Sequence, residues 1–398
     1  MMKIMFYCQY LAGMGHLVRS TEIIRCLVKD FQVCFVNGGQ PIAGFEFPSG
    51  VEIVDLPALL EEDGKLKAAD NSQSIDDTKE RRQQTLLNVF EQFQPDCLIT
   101  ECFPFSKHKV KFELLPLLDR AKASTHSVKV VCSLRDLIMT QSLTPKAWAK
   151  KYDMVCDWIN QYYDLILVHG DPKLQRLEAF FPKVNCLSCE VYYTGYVAQF
   201  APEQVPLTIE DQLILSQNGP MIVTSVGGGR FGYELLNAVV SANAILEQVI
   251  PHRIYAFTGP FMADEQVLQL EHSIANQQNI TIRRYTTHLI DYMNQAELSI
   301  SLGGYNTTMN ILRTGVRALV YPAASEEQSG EQTSRAAMLA KMGVLDLLQT
   351  EDLVGDRLAQ KVLACLDRDP IAHTCDLQGA EKSALRLKQL LYNSVMVV

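Results

Sequence analysis

Three short stretches hold residues that could do chemistry. "AGMGHLVRS" (Ala12–Ser20) brackets a strand end with Gly13 and Gly15 and puts His16 in the first turn of a helix. A helix N-terminus carries partial positive charge, which disfavours the imidazolium, so His16 reads as a neutral base near pH 7. The plainer alternative is a capping histidine that faces solvent. "TSVGGGRFG" (Thr224–Gly232) and "SLGGYNTT" (Ser301–Thr308) each hand a strand to a helix through adjacent glycines. Such turns leave the first backbone N–H groups of the helix open to an anion. One glycine turn needs only a sharp corner to explain it. Two at the carboxyl edge of one sheet point to a phosphate-bearing ligand, and Arg230 adds a cation that can meet it. Neither turn matches GxxxxGK[ST] or a GxGxxG after the first strand, which disfavours a P-loop kinase or a nicotinamide enzyme.

Further polar residues fall at strand ends. "LITECFPFS" places Glu101 at the mouth of its strand, followed by Phe103 and Phe105, which would raise its pKa or line a sugar site. "CSLRDL" does the same for Arg135 and Asp136, and "LVHGDP" for His169 and Asp171, the last reading as a cap before Pro172. Cys186 and Cys189 form the one CxxC, without a histidine or second pair nearby, so packing is the simpler role. No metal site is expected. A base at one sheet edge and an anion site at another suit transfer of a group from a phosphorylated donor to an acceptor hydroxyl.

The elements that must position these residues alternate. Strands are predicted at 3–8, 32–36, 51–54, 96–100, 128–132 and 164–168, with amphipathic helices such as Arg19–Val28 and Asp77–Phe93 between them. That alternation implies parallel βαβ units. Leu56–Asp77 interrupts it and reads as a polar, exposed loop. From Thr194 to Pro220 three prolines and weak periodicity suggest a linker, after which strands at 221–225, 253–258, 281–285, 298–302 and 318–321 alternate with helices. The expected organisation is an N-terminal α/β domain (1–197), a linker (198–219), a second α/β domain (220–375) and a C-terminal helix (376–398) that packs back on the first. Both are expected to be doubly wound and to face each other across a cleft.

The totals narrow the partners. At 398 residues the chain is long enough for two cores. A net charge of −9 speaks against nucleic acid and against general adhesion to an anionic membrane, leaving local peripheral contact open. No apolar run reaches the roughly 18 residues of a membrane span. Eleven scattered cysteines fit a reducing cytoplasm.

Taken together, "GMGHLVR", "SVGGG", "SLGGYNT" and "EEQSGEQTSRA" resemble the nucleotide-sugar glycosyltransferases of the GT-B fold. Among well-known families the MurG N-acetylglucosaminyltransferases are similar in pattern. An uncharacterised bacterial group of predicted glycosyltransferases is closer still. The resemblance implies transfer of a sugar from a nucleoside-diphosphate sugar, uridine-linked, to a hydroxyl on a small-molecule, glycan or lipid acceptor. It implies no cofactor or metal and an inverting course. It assigns Gly303, Gly304, Asn306 and Thr307 to the donor diphosphate and Glu331 and Gln332 to the donor sugar, while the first glycine turn adds Gly228, Gly229 and Arg230 as donor-binding candidates. His288, Leu289 and Ile290 would cradle the base. His16, or else Glu101, would be the proton acceptor, with Gly13, Gly15, Arg19, Arg135 and Asp136 on the acceptor side. Asn310 stands where relatives carry a glutamate for the ribose, and Glu327 is the neighbour that would compensate. Two other readings remain: a nucleotide-sugar hydrolase of the PseG type, and a non-catalytic sugar-nucleotide-binding partner of another transferase.

Overall fold

The computed structural model describes residues 1–11, 14–42, 45–62, 64–70, 72–136, 143–200, 207–322, 329–370 and 372–393. Gly13 and Glu327 therefore lie outside the described residues. The chain divides into two compact units, one built on His16–Val197 with the strand before it and the segment from Cys375, the other on Ala198–Thr374.

The first unit runs β1 (Lys3–Cys8), α1 (Gly15–Leu27), β2 (Gln32–Asn37), β3 (Val51–Asp55), β4 (Leu59–Glu62), β5 (Lys65–Ala68), α2 (Ile75–Phe93), β6 (Cys97–Glu101), α3 (Lys111–Lys122), β7 (Lys129–Arg135), α4 (Pro145–Tyr162), β8 (Leu165–His169) and β9 (Glu190–Tyr193). Seven strands form a parallel sheet in the order β3-β2-β1-β6-β7-β8-β9. Strands buried on both faces read as continuous apolar runs, as "IMFYC" does in β1. Alternate residues of β1 go to opposite cores: Met5 and Tyr7 join α2, α3 and α4, while Ile4, Phe6 and Cys8 join α1.

The second unit runs α5 (Ile209–Leu215), β10 (Met221–Ser225), α6 (Tyr233–Leu246), β11 (Arg253–Phe257), α7 (Asp264–Ser273), β12 (Ile280–Arg283), α8 (Leu289–Gln295), β13 (Leu298–Leu302), α9 (Tyr305–Thr314), β14 (Arg317–Tyr321), α10 (Ser329–Lys341), β15 (Asp346–Leu347) and α11 (Gly355–Leu366). Its parallel sheet has the order β12-β11-β10-β13-β14-β15. The chain then returns to the first unit. The backbone of Tyr196 pairs with Asp376 and Gly379, and α12 (Gly379–Asn393) buries Ala380, Ala384, Leu387 and Leu391 against the α1 face of the first sheet. No helix among the described residues is long and apolar enough to cross a membrane.

Three expectations need correction. Leu56–Asp77 is not an irregular loop: it holds the antiparallel β4–β5 hairpin and then Ser74, which caps α2 by accepting from Asp77 N at 3.0 Å. Short alternating strands rich in Lys and Glu carry too little apolar signal to be read. The supposed linker contains α5, tied to its unit by Asp211, which accepts from the Tyr292 hydroxyl at 2.7 Å and pairs with Arg283. Strands β9 and β15 went unpredicted because edge strands need less burial than central ones.

A buried ion pair braces the first unit where no charge was expected. Arg82 of α2 and Glu113 of α3 are both fully buried, joined by Nε–Oε2 at 2.8 Å and Nη2–Oε1 at 2.6 Å. Arg82 also donates to the carbonyls of Gly38 and Pro57 and to Gln9, so the loops after β1, β2 and β3 converge on one guanidinium. Removing one member strands the other charge away from water. Arg82→Ala is expected to lower unfolding stability by about 3–5 kcal/mol, and the double change Arg82→Met with Glu113→Leu by less. Equilibrium denaturation of the three proteins checks this.

Candidate active site

In each sheet the strand order reverses once, between β1 and β6 in the first and between β10 and β13 in the second. At such a switch point the two following connections leave in opposite directions and open a crevice at the carboxyl ends of the strands. The residues singled out from the sequence lie there. His16 follows β1 and Glu101 ends β6; the Gly227–Arg230 turn follows β10 and Gly303–Gly304 follows β13.

In the first unit, Glu101 is buried, and its Oε1 lies 2.7 Å from His16 Nδ1. The same oxygen takes an ion pair from the buried Arg19 guanidinium and accepts the Cys102 thiol at 3.0 Å. Burial opposes the charge on Glu101, but His16, Arg19 and Lys107 outweigh it and hold the carboxyl well below its usual range. Phe103 and Phe105 do not raise it. They turn into the core, Phe103 against Trp158 and Phe105 against Phe181. Glu101 is thus a buried anion held between His16 and Arg19.

With Glu101 ionised, the His16 Nδ1–H donates to it and Nε2 keeps its lone pair. Lys107 Nζ lies 3.2 Å from Nε2. Burial lowers the His16 pKa to about 3, with Lys107 and Arg135 adding to the effect against the pull of Glu101. The neutrality inferred from the helix N-terminus is therefore present, and burial is its main cause.

Of the remaining residues, Gly15 opens α1 and Arg135 ends β7 half-buried, with Asp136 buried beyond it. His169 is no rival base. Its two nitrogens meet Ser133 Oγ at 2.8 Å and Thr194 Oγ1 at 2.9 Å inside the sheet. Asp171 caps a turn by accepting from Lys173 N at 2.9 Å. Cys186 and Cys189 are free thiols. His16, Glu101 and Cys102 offer ligand atoms within 4.8 Å of one another. The set suits a dication poorly, because Arg19 already holds Glu101 and burial pushes the Cys102 thiol up to about 11.

In the second unit the two glycine turns differ. Gly227 and Gly229 have φ of 65° and 88°, and a Cβ on Gly229 would lie 2.2 Å from the Thr258 carbonyl. These glycines, with Gly228, whose carbonyl accepts from Phe261 N at 2.9 Å, let the turn pack on the loop after β11. Arg230 is exposed, its guanidinium 5.5 Å from the Phe261 ring. Gly304 is the N-cap of α9 with φ −62°, no side chain caps the helix, and an added Cβ would meet only Thr307 Oγ1 at 3.9 Å. Nothing in the fold demands glycine there. Asn306 and Thr307 occupy the first turn behind it.

Around that turn, a Cβ on Gly303 would lie 3.7 Å from Gln332 Cβ, which places the start of α10, with Glu331, beside it. Arg335 of α10, buried, sits over the Tyr305 ring at 5.1 Å and was not singled out from the sequence. Asn310 is buried, its Nδ2 donating to Gln199 at 3.0 Å, while Oδ1 has no partner among the described residues. His288, buried as the N-cap of α8, meets Asp291 through Nδ1 at 2.8 Å, and its Nε2 has no partner among the described residues. Leu289 and Ile290 follow it, Ile290 buried. Lys107 and Gln199 were missed as well. The run "KHKVK" after a strand was the available signal for Lys107, and Gln199 had none.

Residues 223–389 match the glycosyltransferase family 28 C-terminal domain. A 217-residue stretch is 26% identical to the UDP-N-acetylglucosamine–N-acetylmuramyl-(pentapeptide) pyrophosphoryl-undecaprenol N-acetylglucosamine transferase of Streptococcus pneumoniae (strain CGSP14). It covers 54% of this chain and 57% of that one, so the chain spans little more than half the length of the curated relatives it matches. Among solved structures, Acinetobacter baumannii MurG superposes over 99% of this chain and 100% of its own, with TM-score 0.54 and 15% identity. Phytolacca americana UGT2, complexed with UDP-2-fluoro-glucose and pterostilbene, covers 98% of this chain and 94% of its own at TM-score 0.59 and 17% identity. The chain has the GT-B fold, two doubly wound α/β units. The match to the family 28 C-terminal domain covers most of its second unit, and the chain is similar to the MurG-like glycosyltransferases.

The contrast between the glycines is testable without a ligand. Gly229→Ala is expected to lower the melting temperature by several degrees, since it combines left-handed backbone with a carbonyl clash. Gly304→Ala is expected to leave it nearly unchanged, and thermal unfolding compares the two.

Proposed function

We propose that this protein transfers a sugar from a nucleoside-diphosphate sugar, uridine-linked as in the relatives' names, to an acceptor hydroxyl. The observation that carries the reading is the His16–Glu101 pair at the switch point of the first sheet. A buried carboxylate fixes the Nδ1–H tautomer, and the neutral Nε2, which meets Lys107 Nζ at 3.2 Å, carries the lone pair that takes the proton. As the acceptor oxygen attacks the anomeric carbon, its proton passes to His16 Nε2. The bond from that carbon to the diphosphate oxygen breaks, and its electron pair leaves with the diphosphate. Attack opposite the leaving group inverts the centre. Glu101 then steadies the imidazolium.

The second unit receives the donor. The Gly303 N–H is already donated to the Tyr321 carbonyl at 3.0 Å, so backbone N–H groups from Gly304, Asn306 and Thr307 meet the charge that grows on the diphosphate, and exposed Arg230 is free to turn toward it. This takes the place of a metal, so the reaction is read as metal-independent. Glu331 and Gln332 take sugar hydroxyls. The unpaired Oδ1 of Asn310 accepts from a ribose hydroxyl, where a glutamate would do so more strongly. The unpaired Nε2 of His288 lies in the stretch assigned to the base.

A panel of nucleotide sugars screened by thermal shift without metal identifies the donor, since a ligand that binds only the folded state raises its melting point. Gly304→Val, with the fold intact, is expected to abolish that shift. His16→Ala is expected to keep donor affinity within a few fold and lose about 10²–10⁴ in kcat. Because the folded pKa of His16 is lowered, the base form persists as pH falls. The acidic limb of the pH–rate profile is expected well below 6.5. Parent-like transfer by His16→Ala refutes the base assignment. Release of free sugar at full rate without acceptor makes the protein a hydrolase.

Glu331→Ala separates the sugar from the nucleotide. Turnover or affinity for the whole donor is expected to fall at least tenfold, while calorimetric affinity for free nucleoside diphosphate stays within about twofold. Equal loss of both would move Glu331 to the ribose.

A further inference from the structure

Lys107 is a cation placed against the candidate base, within the field of Glu101 but in no ion pair among the described residues. Its backbone is left-handed, φ 64°, a conformation that long side chains seldom adopt. Its Nζ meets His16 Nε2, and no carboxylate pairs with it among the described residues. Two residues on, Lys109 is paired with Glu61. Charged groups acting on His16 include Glu101 of β6 and Arg135 of β7, and Arg19 of its own helix, His169 and the thiols of Cys102 and Cys8 act in turn on Glu101. None of them is a free anion for Lys107, because Glu101 already serves His16 and Arg19. Beyond it, Lys111 and Lys151 act on His108, extending the positive field in a chain whose net charge is −9.

While the ammonium donates to Nε2, the lone pair that should take the acceptor's proton is occupied. That bond has to be replaced before His16 can act as a base. A carboxylate or phosphate does so, since a charge-assisted hydrogen bond is stronger than one to a neutral imidazole. The geometry points to an acceptor that carries an anionic group beside its reacting hydroxyl, with Lys107 as the residue that holds this group and so frees His16 Nε2. This rests on the reading of His16 as the base. Neutral hydroxyl compounds would have to break the Lys107–His16 bond uncompensated, so the same contact rejects water and uncharged sugars.

The test uses the full chain with ¹⁵N-labelled histidine, observed at pH 7 and without substrates. Titration with inorganic phosphate, and separately with acetate, at fixed ionic strength is expected to move the Nε2 resonance of His16 downfield, toward an unbonded ring nitrogen. The anion with the larger effect identifies the acceptor group as phosphate or carboxylate. K107M is expected to show the shifted resonance from the start, to lose the anion response, and to raise the His16 pKa. K107R is expected to keep the response. K107N, which accepts the left-handed backbone readily, repeats the K107M result in a fold-safe form. With the donor in hand, glucuronic acid is expected to outperform glucose as acceptor, or glycerol 3-phosphate to outperform glycerol, at least tenfold in kcat/KM, and K107M to erase the difference. An Nε2 resonance that neither anions nor K107M move overturns the proposal, as does equal use of charged and neutral acceptors. The resonance measurement needs no turnover, so its outcome for Lys107 stands apart from whether His16→Ala retains transfer.

Discussion

Everything proposed for this protein depends on a constraint of parallel sheets. A crossover between parallel strands is right-handed, so helices cover both faces of a sheet only if the winding reverses direction once. Both sheets reverse, at β1/β6 and at β10/β13, and the loops beyond those strands diverge. Space is left there by the fold itself, with backbone N–H groups of the next helix lining it. Residues 16, 101, 228 and 303 stand at or beyond the carboxyl ends of four different strands, and the reversal is what makes each pair neighbours.

The two crevices are furnished differently. In the first unit, charged side chains do the work: Arg19 and His16 share one oxygen of Glu101, and Lys107 holds the far side of the imidazole. Such a cluster is worth having only out of bulk water, where tautomer and charge state are set by neighbours rather than by solvent. In the second unit, the main chain does the work. The start of α9 is left uncapped, and Asn310 and His288 each keep one buried polar atom unpaired. Buried polar atoms without partners are uncommon in folded proteins, and among the described residues two of them lie on α9 and at the start of α8, which pack together.

The two glycine turns show how alike sequences diverge in cause. Gly229 is required by the fold, because its φ and the Thr258 carbonyl exclude any side chain. Gly304 has ordinary φ and open space, so its small size serves whatever approaches the helix start.

Strand and helix alternation, the reversal into two α/β units and the motifs at strand ends were legible in the sequence, since apolar runs, glycine turns and caps are local signals. So was the family resemblance, carried mainly by Gly303–Arg335. The β4–β5 hairpin and α5 were not, because charged surface elements carry weak periodicity. Nor was the Arg82–Glu113 brace, whose members are 31 residues apart and look like solvated helix charges until packing buries them. The chemistry of the base was decided in the same way. His16 and Glu101 could be named from their places at strand ends, but which of them is proposed as base depends on the charge states that Arg19 and Lys107 help set. Electrostatics falls off with distance through space rather than along the chain, and only the folded structure links Lys107 to His16, and His16 and Arg19 to Glu101.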